Sequence, residues 1–517
     1  MFHELSFLFL FLPGVWLAAR LAGLAHRLGP ALVLAGASLL FCWLLDRSTF
    51  AFCCLYALGN LAGARLLARR PSSWLAGAVV AANILVLGFY KYTGFLLSSL
   101  PHPAGPPWPH LEILAPLGLS FIVFRAISAA LEIKSGRMAR FGCLEYLLYL
   151  MYFPTFLAGP IATFQEVSPQ LESGANRSDW PGIAAGLGFL GVGLFKKMVL
   201  AGNLAPLSVG AFQAASTGGA LHFVEAWGAA LAYTFELYFD FSGYSDMAIG
   251  VSRLFGIRLP ANFNAPYRAA SIREFWRRWH ITLSRFLRDN LYIPLGGNRK
   301  GTARTFLNVM AVMGLCGLWH GAGWTFLVWG LLHGACLAAD NLWRLRPAWL
   351  NPGGRFPRTW TLLCWTASFL TVVLAWVVFR AATLEGAMAM WKVMFTPTSN
   401  LFLPLGAPGT GPAPFEYLPG WRVFLLPEGI LPHFGGWSQL GWLGASFCIV
   451  LALPTTQAWL AALDPVPAPG PEGEFPLRPW HPGPGTVRAL VSGGLFAAGV
   501  AAVWFATTPS PFLYARF

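Results

Sequence analysis

Charge is scarce in this chain, and negative charge scarcest: 11% of its 517 residues are charged, with 21 Asp and Glu against 35 Lys and Arg. That density excludes an ordinary soluble domain, in which about 25% of residues are charged. The eight cysteines form no CxxC pair. A disulfide framework and a metal site are therefore not expected, and the cysteines read as small residues of an apolar core. No internal repeat is visible, so nothing supports the paired halves common in transporters. No linker sets off a soluble domain, and residues 1–517 read as a single integral-membrane unit. The first apolar run follows Met-Phe-His-Glu with no basic segment ahead of it, and reads as a retained helix rather than a cleaved signal.

Hydrophobic residues make up 56% of the chain, and the mean hydropathy is +0.57. Apolar runs recur at 4–19, 30–45, 48–66, 74–100, 113–133, 143–160, 182–200, 222–252, 305–319, 322–343, 360–380, 439–460 and 488–506. Many approach the ~20 residues a spanning helix needs, which predicts an all-α polytopic membrane protein of roughly 11–14 embedded segments. The net charge of +14 does not point to nucleic acid, because the basic residues sit between apolar runs. Arg20/Arg27, Arg65/Arg69/Arg70, Lys134/Arg137/Arg140, Lys196/Lys197 and Arg344/Arg346/Arg355/Arg358 fall at every second connection, as cytoplasmic loops do. That alternation puts the N-terminus outside and makes membrane lipid the first partner. Two Pro/Gly-rich stretches, roughly 397–437 and 461–487, read as long loops, the first outside and the second inside.

Between Arg253 and Arg304 stand ten Arg and one Lys against only Glu274 and Asp289. At about 100° per residue, Arg273–Asp289 divides into two arcs. Arg273, Glu274, Arg277, Arg278, Ile281, Arg285, Arg288 and Asp289 fill one. Phe275, Trp276, Trp279, His280, Thr282, Leu283, Phe286 and Leu287 fill the other. The pattern predicts an amphipathic helix on the cytoplasmic face, its arginines gripping anionic head groups. His280 sits at the edge of the apolar arc, where an anchor ordinarily has Leu or Trp, and reads either as a hydrogen-bonded core histidine or as a functional group. In Pro294–Gly301, Gly296, Gly297, Arg299 and Lys300 form either a plain turn or a docking point for a phosphate-bearing donor. The spacing matches no P-loop or dinucleotide fingerprint.

His320 lies between Trp319 and Gly321 in nearly uncharged sequence. Titratable side chains are costly there and are functional candidates. An imidazole with an ordinary pKa of about 6.5 can accept a proton near neutrality, and the flanking glycines suit close approach of substrate. His333 follows Trp329 by one helical turn and reads as its packing neighbour or as a further substrate contact. Asp240, Ser242, Tyr244 and Asp246 form a polar patch within an apolar run. They either bind substrate or brace the core.

Phe275–Arg299 and Gly317–Gly334 resemble the bacterial alginate O-acetyltransferase branch of the membrane-bound O-acyltransferase superfamily. The likeness extends through Pro116-Leu-Gly-Leu-Ser-Phe121, Tyr152-Phe-Pro-Thr-Phe-Leu-Ala-Gly-Pro-Ile161, Gly193-Leu-Phe-Lys-Lys197, Tyr238-Phe-Asp-Phe-Ser-Gly-Tyr-Ser-Asp-Met-Ala-Ile-Gly250, Asn262-Phe-Asn-Ala-Pro-Tyr267 and Ala375-Trp-Val-Val-Phe-Arg380. It covers about 116–380, with an echo at Phe512–Phe517. Two places depart from the pattern: Arg125 stands where glutamine is expected, and Ala515-Arg516 where an aromatic and glutamine are.

The resemblance implies a helical fold with re-entrant and interfacial helices around a thinned core, reached by an acyl donor from the cytoplasm and an acceptor from outside. It matches His320 to the family's catalytic histidine and His280 to the second, upstream polar position. The expected activity is O-acetylation of an exopolysaccharide at the bacterial inner membrane, with acetyl-CoA as donor substrate, no bound cofactor, and a periplasmic partner of esterase-like fold. His320 would take the hydroxyl proton, and His280 would orient a substrate or stabilise the oxyanion. Arg273, Arg277, Arg278 and Lys300 would attract the anionic carrier by their field. Two other readings stay open: acyl transfer to a lipid, a teichoic acid or a partner-protein serine, and a conduit that does no chemistry.

Overall fold

The computed structural model describes residues 2–100, 113–138, 140–172, 179–344, 357–396, 433–463 and 485–505. Every regular element among them is helical. The first half comprises α1 (Leu12–Ala25), α2 (Gly29–Leu45), α3 (Arg47–Arg69), α4 (Ser73–Ser99), α5 (Leu119–Lys134), α6 (Cys143–Met151), α7 (Phe164–Glu172), α8 (Trp180–Phe195), α9 (Gly202–Leu204), α10 (Pro206–Thr217) and α11 (Phe223–Leu254). The second comprises α12 (Ile272–Arg278), α13 (Ile281–Leu287), α14 (Gly301–His320), α15 (Trp324–Arg344), α16 (Pro357–Arg380) and α17 (Leu384–Phe395), then α18 (Gly436–Ala452), α19 (Thr456–Leu460) and α20 (Gly485–Phe505).

Among the described residues, six helical stretches are long and apolar enough to cross a membrane: Phe7–Ala25, Arg47–Arg69, Ser73–Ser99, Trp180–Leu204, Gly301–His320 and Arg358–Arg380. Three shorter apolar helices accompany them. The other apolar runs resolve differently. Residues 113–133 become the buried α5, and 143–160 become the short α6 and a 3-10 turn at Phe153–Thr155. The stretches 101–112, 397–432 and 464–484, with Phe512–Phe517, lie outside the described residues. The two expected long loops fall almost wholly there.

The 32-residue α11 runs through the centre, with every residue from Ala232 to Phe255 buried. It packs against α8 through glycines spaced seven apart on both helices, Gly186 against Gly250 and Gly193 against Gly243. A Cβ added at Gly193 would stand 2.6 Å from the Gly243 carbonyl oxygen, and one at Gly186 would stand 2.9 Å from that of Gly250. Only glycine permits this backbone approach, the usual device for helix association where hydrophobicity supplies no driving force. The α14–α15 hairpin uses the same device. A Cβ on Gly317 would overlap the Phe326 carbonyl, and one on Gly330 that of Met313.

The expected continuous helix over Arg273–Asp289 is broken in two. α12 stops at Arg278, Trp279 is extended, and His280 adopts φ 42°, ψ 54° before α13 begins at Ile281. A left-handed conformation at a non-glycine residue costs about 1–3 kcal/mol and persists only where its surroundings enforce it. Here the enforcement is non-local. Asn264 N–H donates to the Arg278 carbonyl at 2.9 Å, and Ile281 N–H donates to the Asn262 carbonyl at 3.0 Å. The two arcs survive the break. Phe275, Trp276, Trp279, Thr282, Leu283 and Leu287 are buried, whereas the arginines stay at or near the surface.

Candidate active site

His280, His320 and His333 are all buried, and they lie around a shared wall of tryptophans. The Trp319 ring lies 6.0 Å from His280 and 4.9 Å from His320. Trp329 lies 5.2 Å from His320 and 4.9 Å from His333. Phe379, from the Ala375–Arg380 motif on α16, meets the His320 ring edge-on at 5.4 Å. Histidines scattered over more than fifty residues of sequence thus share an enclosure built from α14, α15, α16 and the α12–α13 break.

Hydrogen bonds fix the tautomers of two rings. His280 Nδ1 lies 3.2 Å from Asn262 Oδ1, which also accepts from the Thr282 hydroxyl at 2.8 Å and the Thr282 backbone N–H at 3.4 Å. A backbone N–H can only donate, so the Asn262 oxygen faces this way and His280 Nδ1 carries the proton. The other end of the amide donates to Ser245 Oγ at 3.2 Å. Neutral His280 therefore presents an Nε2 lone pair, with no hydrogen-bond partner among the described residues. His333 has the opposite tautomer, because its Nδ1 accepts from the indole N–H of Trp276 at 3.3 Å.

His320 ends α14, and the chain turns at once through Gly321-Ala322-Gly323. The Phe326 ring occupies the space a Cβ on Gly321 would take. The carbonyls at this end reach across to α4. Tyr92 donates to the Leu318 oxygen at 2.8 Å, while the Lys91 ammonium donates to those of Trp319 and His320, the latter at 3.2 Å. Sequence reasoning passed over Lys91 and Tyr92. The available signal was a lone lysine inside a 27-residue apolar helix.

The remaining candidates divide. Asp246 accepts from Lys196 at 2.7 Å, Thr456 at 2.6 Å and Gln457 at 3.2 Å, and Asp240 pairs with Lys197. Tyr244 stacks on Phe2 at 5.1 Å, and Ser242 is buried beside it in α11. This geometry is that of a brace holding α11 to the helical turn Lys196–Ala201, which continues α8, and to α19. Phe241, in the same stretch, packs edge-on against His280 at 4.7 Å. Arg273 pairs with Asp340 at 3.1 Å and Arg278 with Glu274 at 2.7 Å, while Arg277 and Lys300 are exposed. At the Pro294–Gly301 turn, the Gly296 and Gly297 N–H groups donate to the carbonyls of Ile293 and Tyr292. They are spent in the turn rather than turned toward an anion.

Residues 75–380 match the family described as MBOAT, membrane-bound O-acyltransferase family. The chain is 40% identical over 348 residues to a peptidoglycan O-acetyltransferase of Helicobacter pylori, covering 62% of this chain and 64% of the relative. It is 41% identical over 330 residues to a probable alginate O-acetylase of Azotobacter vinelandii, covering 62% and 63%. A probable alginate O-acetylase of Pseudomonas aeruginosa is 37% identical over 407 residues, covering 76% and 75%. The matches thus span just under two thirds of the first two relatives' own length. The family match takes in His280, His320 and His333.

Proposed function

Because the chain belongs to the membrane-bound O-acyltransferase family, we propose that it transfers an acetyl group to a hydroxyl delivered from outside, for O-acetylation of an extracytoplasmic polysaccharide. His320 is the proton acceptor. Its buried imidazole at the end of α14, against the same Trp319 ring that His280 meets, is the observation that carries this reading. The hydroxyl oxygen attacks the thioester carbonyl of acetyl-CoA as His320 takes its proton. The carbon–oxygen bond forms, the carbon–sulfur bond breaks, and the imidazolium returns the proton to the leaving thiolate. Positioned proton transfer of this kind is worth about 10²–10⁴-fold in rate.

The tautomer of His280 supports one of its two expected roles over the other. With Nδ1–H committed to Asn262, a neutral ring offers only an acceptor at Nε2. It suits orienting a hydroxyl donor better than stabilising an oxyanion, which needs an N–H. His333 serves to hold Trp276 and Trp329. Arg277 and Lys300 act through their field on the anionic carrier.

The names of the relatives associate acetyl transfer with peptidoglycan and alginate, and an alginate-like exopolysaccharide at the bacterial inner membrane is the acceptor we infer. A periplasmic esterase-like partner completes delivery. The test is turnover of radiolabelled acetyl-CoA by purified protein in nanodiscs, with and without candidate partner and polysaccharide. Loss of turnover in folded His320→Ala, with a smaller loss in His280→Ala, supports the reading. Turnover indifferent to His320 would leave this chain a conduit for chemistry done elsewhere. Product on a lipid or teichoic acid instead of the polysaccharide would move the acceptor.

A further inference from the structure

We propose that Lys91 is a positioning residue for His320, holding the backbone that carries the imidazole from a different helix. The inference rests on the reading of His320 as the proton acceptor, and it begins from how α14 ends. The last carbonyls of any helix lack intrahelical partners. In an apolar environment no water is at hand to satisfy them, and leaving them bare is strongly unfavourable. At the end of α14, Gly321 N–H still donates to the Gly317 carbonyl at 3.3 Å. The next three carbonyls are taken by two adjacent residues of α4: Leu318 by Tyr92, and Trp319 and His320 by Lys91. One turn further along α4, Phe95 meets Trp324 edge-on at 5.4 Å, just past the turn that follows His320. One face of α4 therefore clasps the whole reversal between α14 and α15.

Satisfying carbonyls does not require a cation. A hydroxyl does the same work at Leu318, whereas a lysine within a membrane helix is among the costliest residues to insert. The ammonium adds two things. One group reaches two successive carbonyls, and its charge complements the negative end of the helix dipole. Fixing the carbonyls of Trp319 and His320 fixes both peptide planes that flank the His320 Cα, and with them the direction in which the Cα–Cβ bond hands the imidazole to the site. An error of about 1 Å in such placement costs on the order of 10²-fold in rate.

The test uses the full chain in nanodiscs, with activity expressed per folded molecule after gel filtration. Lys91→Met keeps the length and removes charge and donors. We expect kcat to fall about 10- to 100-fold, with KM for acetyl-CoA within about twofold, because placement and not donor binding is lost. Lys91→Ala opens room for an exogenous amine, and ethylamine is expected to restore at least several-fold of its kcat where ethanol restores none. A residue that served only stability would show neither the kcat-against-KM split nor amine-specific rescue. Wild-type kcat in Lys91→Met, a loss carried by KM, or no rescue of Lys91→Ala overturns the proposal. His320→Ala is run in parallel. If it stays active the acyl-transfer reading falls, whereas an inactive His320→Ala beside a fully active Lys91→Met sinks only the role of Lys91.

Discussion

Asp246→Asn separates bracing from substrate binding at the centre of α11. The Asp246 carboxylate is 2% exposed and its partner Lys196 is 13% exposed, with 2.7 Å between them. Thr456 and Gln457 of α19 complete the carboxylate's shell, and Lys196 also donates to Thr456 at 2.8 Å. Asparagine keeps the shape and one acceptor but leaves the ammonium buried without its counter-charge. Breaking a buried pair from one side costs about 3–5 kcal/mol, whereas replacing both partners with apolar groups of similar volume is often neutral. At about 1.4 kcal/mol per decade, the single change shifts the folding equilibrium by two to three orders of magnitude. The expected pattern is a large fall in the thermal midpoint of detergent-solubilised Asp246→Asn, and substantial recovery when Lys196→Met is added. Activity per folded molecule should recover with the fold. A stable but inactive Asp246→Asn, or a double variant that folds well and remains dead, refutes the brace and returns Asp246 to substrate binding.

Other predictions follow from local geometry. Asp46 caps α3, accepting from the Ser48 hydroxyl and from the Thr49 N–H at 2.6 Å, and these bonds draw its pKa down to about 2. A carboxylate depressed on folding contributes stability that is fully present above its unfolded pKa of about 3.9 and is lost as pH falls through the folded value. The stability gap between wild type and Asp46→Ala should thus be constant above about pH 5 and shrink between about pH 4 and 2, which thermal melts across that range would check. Gly330→Ala should lower the thermal midpoint sharply, because its methyl overlaps the Met313 carbonyl and must push α14 from α15; an unchanged midpoint would show that the hairpin yields. Asn262→Ala should reduce kcat more than it reduces stability, since it frees both the tautomer and the ring angle of His280. Matched falls in turnover and midpoint would count against that.

What could be read in the sequence was whatever depends on neighbours along the chain. The arcs around Phe275, Trp276 and Leu283 are set by a period of about 3.6 residues, and burial follows them on both sides of the helix break. The break itself follows from Asn262 and Asn264 meeting the chain at 278–281, and no local pattern encodes that meeting. The same limit explains Asp246. Its carboxylate in an apolar run was visible, but the hydroxyl of Thr456 that donates to it, 210 residues away, was not. Glycines at 186 and 193 and at 243 and 250 carry matched spacings in plain sight, yet only their pairing gives those spacings meaning. Lys91 is the sharpest case. Averaging hydropathy over a long run absorbs one lysine, although the physics of the bilayer weights that residue above all its neighbours. A charge retained in a spanning helix must have a partner, and here the partners are the backbone carbonyls of Trp319 and His320.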